Sequence, residues 1–161
     1  MILGMSIPVF TLLHVLISLG GIFTGFVVLF GMIRNRKETL WTLLFFVLNI
    51  LTDVTGFMFP FKTITPGIII GALSLVVLFV AMIGVYVKRL AGGWRVRYVI
   101  TAAVALYFNV FVLVVQSFEK MSVLHAIAPT QSSPVFGITQ LVVFGLMTLL
   151  TVFAFRHFRP V

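Results

Sequence analysis

Residues 66–87 read PGIIIGALSLVVLFVAMIGVYV, an unbroken apolar run without one charged side chain. A helix crossing a hydrocarbon core needs about 20 such residues, so this stretch by itself predicts a membrane span. Four further runs share its character, at about 7–33, 40–60, 97–117 and 134–155. Lipid offers no partner to a backbone amide, and none of these runs alternates polar and apolar residues as barrel strands do; helices are required. The sequence therefore predicts an all-α fold, a polytopic five-helix transmembrane bundle forming one domain over residues 1–161.

Composition agrees. Of 161 residues 61% are hydrophobic and 9% charged, with a mean hydropathy of +1.27. Soluble domains have about 45–50% apolar and about 25% charged residues. The net charge of +8 would in a soluble domain suggest nucleic acid, but the eleven Lys and Arg residues sit in short clusters between apolar runs. Such clusters report topology, and no nucleic-acid partner is expected. The chain has no cysteine, which removes disulfides and thiolate metal sites. No Lys or Arg precedes the first apolar run and no A-x-A pattern follows it, so that run reads as a retained span rather than a cleaved leader.

The charge clusters alternate. Arg34, Arg36 and Lys37 follow the first span, Lys88, Arg89, Arg95 and Arg97 the third, and Arg156 and Arg159 the fifth; only Lys62 and Lys120 fall on the other side. By the positive-inside rule the amino terminus faces out and the carboxyl terminus in. The same assignment puts Trp41, Trp94, Tyr86 and Tyr98 at the inner interface, where amphipathic rings favour the headgroup level. Thr65-Pro66 and Ser133-Pro134 each read as a hydroxyl N-cap followed by proline at the first helical position, and Pro8 would act similarly with a less regular cap at Ile7. Gly92-Gly93 breaks one connection.

Each span carries one polar residue at a similar depth. His14 lies six residues beyond its expected outer boundary near Pro8, and Asp53, Ser74, Asn109 and Gln140 fall six to eight residues from theirs. At about 1.5 Å per residue that level is roughly 9–12 Å below the outer boundary. Small and polar residues recur at helical spacing around it: Thr11, His14, Ser18, Gly21 and Gly25; Asn49, Asp53, Gly56 and Pro60; Gly67, Gly71 and Ser74; Ala102, Ala105, Asn109 and Gln116; Gly137, Gln140 and Thr148. Such stripes pack helices together in lipid, whereas ionisable residues inside a membrane mark functional sites. His14, Asp53, Ser74, Asn109 and Gln140 are accordingly the candidate ligand-binding or proton-linked set. A direct His14–Asp53 pair would share a proton that a cation could displace.

One in-span histidine and one in-span carboxylate fall short of a closed zinc site, even with His125 folding back. Haem held by two histidines lacks its second ligand, and Ser74 has no nucleophile-elbow context. No catalytic residue, metal or other cofactor is expected. The outer loop, residues 118–134, is too apolar at Met121, Val123, Leu124 and Ile127 to be fully solvated. It predicts a short interfacial helix, with His125 and Gln131 as residues of a lid over the bundle. The basic clusters between spans can also recruit anionic lipid.

The runs Thr55–Phe61, Ala105–Gln116 and Leu124–Pro134 resemble a family of small bacterial inner-membrane proteins of unassigned function, over most of the chain. The resemblance implies a bacterial inner membrane and implies no activity. The residues themselves suggest a non-enzymatic membrane protein whose outer-half polar pocket binds a small polar ligand, a cation or protons, with transport or channel activity as one use. Homo-oligomerisation would supply material that 161 residues lack. The alternatives are a structural or accessory subunit of a larger membrane complex, bound to partner subunits, and an enzyme acting on lipid or quinone.

Overall fold

The computed structural model describes residues 1–60, 63 and 65–159; Phe61 and Lys62 lie outside the described residues. Six helices follow one another: α1 (Ile7–Ile33), α2 (Thr39–Phe57), α3 (Pro66–Met82, continuing as a π-helical turn over Ile83–Val87), α4 (Trp94–Lys120), α5 (Ser122–Ile127) and α6 (Pro134–His157). Five of them, all but α5, are long and apolar enough to cross a membrane. The fold is all-α, with an isolated bridge between Ile2 and Met5 in place of any strand among the described residues.

The helix ends depart from the hydropathy boundaries for local reasons. α2 stops at Phe57, where the Met58 amide turns back to the Thr55 carbonyl at 3.2 Å ahead of Pro60. α4 starts at Trp94 and carries Arg95 and Arg97 in its first turn, beyond the apolar run that hydropathy detects. Gly92, at φ +55, makes the turn before it, a conformation that glycine adopts at no steric cost. Proline does open α1, α3 and α6, but the expected hydroxyl caps are not formed. Thr65 and Ser133 hold the extended cap conformation without a side-chain hydrogen bond, and α1 is capped by Ser6 rather than Ile7. Their carbonyls accept the first helical amides instead, Thr65 O from Ile68 and Ile69, Ser133 O from Gly137.

The long helices form a ring in the order α1, α2, α3, α4, α6, and α1 also touches α4, which closes the middle. Phe45, Phe46, Leu78, Val99 and Leu106 are buried in that middle. Gly25 permits the approach: a Cβ there would come within 2.6 Å of Leu106 Cδ1 and 2.9 Å of Phe45 Cε2. In lipid, where apolar surface gains nothing by leaving solvent, such close backbone contact and van der Waals packing hold helices together. α6 is the most peripheral span, with 17% of its apolar window buried against 39% for α1.

One end of the bundle gathers the α1–α2, α3–α4 and carboxyl-terminal segments, and with them nine of the eleven basic residues. Arg95 Nη1 donates to the carbonyls of Phe155 (3.1 Å) and Phe158 (2.5 Å), neutralising the last turn of α6. The Arg159 amide donates to Asn35 Oδ1 at 2.7 Å. Trp94 lies under Lys88 and Arg97 at this end. Tyr98 does not join an interfacial belt: it is 3% exposed, inside the core, with its hydroxyl 3.4 Å from Thr42 Oγ1.

Substituting Gly25 by Val forces these contacts apart and should destabilise the bundle by about 1–3 kcal/mol. Gly145→Val, where nothing lies within 4 Å of the added Cβ, should stay within about 0.5 kcal/mol of the parent. Unfolding titrations of the purified protein in mixed micelles measure both.

Candidate functional site

The polar residues of the spans make separate contacts between neighbouring helices. Their centre is Asn49, 1% exposed on α2. Its Nδ2 donates to the Phe45 carbonyl at 2.7 Å and reaches the Gly21 carbonyl of α1 at 3.5 Å, and its Oδ1 accepts from Asn109 Nδ2 of α4 at 2.8 Å. Gly21 makes the room, since a Cβ there would lie 3.1 Å from Asn49 Nδ2 and 3.3 Å from Asn109 Nδ2. Three helices therefore meet on one primary amide.

His14 and Asp53 are not paired. His14 Nδ1 lies 2.7 Å from Thr55 Oγ1. Thr55 has a 2.6 Å contact from the same oxygen to the Leu51 carbonyl, and a hydroxyl has one proton to give. With that proton directed at Leu51, the imidazole bonds Thr55 as an Nδ1–H donor, leaving Nε2 as its acceptor. The ring is flanked edge-on by Phe59 at 5.3 Å. Asp53 is two residues from Thr55, which on a helix of 3.6 residues per turn is about 200° of rotation. It therefore leaves α1 and turns to α3, where the Cβ position of Gly71 is 3.8 Å from Oδ1 and Ser74 is the neighbouring polar side chain. Asp53 Oδ2 is buried and has no hydrogen-bond partner among the described residues.

Gln140, on α6, stands apart from these groups. Its Nε2 donates to the Phe111 carbonyl of α4 at 3.2 Å, and its Oε1 is a second buried, unpartnered acceptor. Of the five candidate residues, Asp53 and Ser74 come together, Asn109 joins Asn49, and His14 and Gln140 each bond elsewhere. Asn49 and Thr55 are the members that span-by-span counting passed over. The signal for Asn49 was present, since it precedes Asp53 by one turn. Thr55 gives none, because threonine bonds back to its own helix in many spans.

α5 is the expected short helix, but it packs against α4, while Phe118, Ala128 and Phe136 form a small cluster with Val114, Val115 and Leu124. His125 and Gln131 are exposed, and Gln131 Nε2 donates to Glu119 Oε1 at 3.0 Å. Among the described residues, one small cavity lies at the basic end beside Lys37, Tyr86 and Tyr98 and another among Gly25, Phe45, Ala102 and Leu106. Each encloses about 10 Å³, and neither is lined by a candidate residue. Pockets for organic ligands measure about 300–1,000 Å³. Among the described residues no three His, Asp or Glu side chains cluster as metal ligands do.

The Asn49–Asn109 bond should register as a pairwise energy. A double-mutant cycle with Asn49→Leu and Asn109→Leu should give a coupling of about 0.6–1.7 kcal/mol, read from unfolding midpoints in micelles; a coupling near zero would mean that the amides do not hold α2 to α4. No family model matches the sequence, and no curated protein or solved structure is significantly similar to it.

Proposed function

We propose that this multi-pass membrane protein is non-enzymatic and that Asp53 is its proton- or small-cation-binding group, in a bacterial inner membrane with the amino terminus outside. The observation that carries the reading is the buried Asp53 Oδ2, which has no partner among the described residues. A carboxylate in hydrocarbon is costly without a counter-charge. A proton or a small cation between Asp53 and Ser74 supplies what the helices do not. The basic end supports the orientation by the positive-inside rule, and self-association would give an ion a path that one compact ring lacks.

Dicyclohexylcarbodiimide, an apolar reagent that adds to protonated carboxyl groups, tests the site. Labelling should concentrate at Asp53, vanish in Asp53→Asn, and slow as sodium or potassium is raised if a metal cation is the physiological occupant. Proteoliposomes loaded with a pH- or sodium-sensitive dye should show a flux that Asp53→Asn abolishes with insertion unchanged. An unlabelled Asp53 together with identical flux from parent and variant would overturn the reading.

A second reading, an accessory subunit of a larger membrane complex, is favoured by the direct helix-to-helix bonding of Asn49, Asn109 and His14 and by the sparse burial of α6. It expects stoichiometric membrane partners after gentle solubilisation; repeated recovery of the chain alone counts against it.

A further inference from the structure

At the basic end, Lys37 from the α1–α2 turn, Thr39 and Thr42 from α2, Val85, Tyr86 and Leu90 from the end of α3 and its turn, and Tyr98 from α4 line one narrow cleft. We propose that this cleft binds the phosphate of an anionic phospholipid, with an acyl chain lying along its apolar wall. The site is independent of Asp53.

Three features of different origin converge there. The first is charge. Lys37 lines the cleft, Arg36, Lys88 and Arg89 lie nearby in the chain, and the one acid at this end, Glu38, is folded away onto α1, its Cγ 2.6 Å from where a Cβ of Gly31 would be. Arg95 is committed to the α6 carbonyls, and Lys88 and Arg97 are held over Trp94, so Lys37 is the cation that faces the cleft. The second is the start of α2. Glu38 makes no side-chain cap, and the first helical amide bond is Thr42 N to Glu38 O; the amides of Thr39, Leu40 and Trp41 precede it without a helical partner, as the first amides of a helix do, and Thr39 lines the cleft.

The third is the wall. Val85, Leu90 and the half-exposed ring of Tyr86 give it apolar surface, and the buried Tyr98 lines it from within the core. A soluble phosphate ion has no use for that surface, whereas a lipid presents phosphate and hydrocarbon together. The enclosed volume of about 10 Å³ takes a phosphate oxygen and leaves the rest of the headgroup across the mouth.

Both tryptophans of the chain are at this end, which makes their fluorescence the direct readout. In phosphatidylcholine vesicles, brominated phosphatidylglycerol at low mole fraction should quench them more strongly than brominated phosphatidylcholine at the same fraction. Lys37→Gln should lower the apparent affinity for the anionic lipid about fivefold, while Lys120→Gln, at the opposite end, should leave it unchanged. Inorganic phosphate at constant ionic strength should not relieve the excess quenching. Equal quenching by the two lipids, full excess in Lys37→Gln, or loss of the excess to inorganic phosphate would each overturn the proposal: the first by removing lipid selectivity, the second by assigning it to diffuse surface charge, the third by making the ligand a soluble anion.

Discussion

An amide buried among hydrocarbon side chains has only the protein to bond to, and at Asn49 that requirement ties three helices at once. Its nitrogen looks to Phe45 and Gly21, its oxygen to Asn109. Each such bond is worth little in a membrane, since a displaced polar group finds other partners. Its effect is on register: one rotation of α2 and one height of α4 satisfy both ends of the amide. Gly21 fixes the third distance, because any larger residue would hold α1 away from the two nitrogens. The apolar packing of Phe45, Leu106 and Gly25 one turn further toward the basic end then follows from an alignment that polar atoms set.

The same alignment separates two ionisable groups that share a depth. α2 presents Thr55 to α1 and Asp53 to α3, so the imidazole is absorbed into a hydroxyl contact while the carboxyl is left with Ser74 as neighbour. His14 thereby serves α1–α2 cohesion. Asp53 is the group whose chemistry the bundle does not complete.

The five spans were plain in the sequence because the bilayer constrains length and polarity so strongly that twenty apolar residues have one outcome. Three helix starts were legible too, since proline marks where α1, α3 and α6 begin. Rotation was not. Depth puts His14 and Asp53 level, but which of Asp53 or Thr55 meets α1 depends on how α2 is turned by its contacts with every neighbour. The cap hydroxyls of Thr65 and Ser133 were over-read for a similar reason: the residue type permits a side-chain bond, and the local geometry chose the carbonyl. Tyr98 looked interfacial by position, yet the extra turn of α4 and the approach of α2 buried it. Nothing in Ile83–Val87 announced a π-helical turn.

The ring also imposes an order on assembly. α1 precedes α6 by four helices and has it as one of its flanking walls, and the seam is fastened by an amide and a side chain 124 positions apart, Arg159 and Asn35. Four spans can therefore enter the bilayer and pair while the flank of α1 stays covered by acyl chains. Closure is an exchange of lipid for protein that waits on α6, because α1–α4 by themselves leave the ring open on that side.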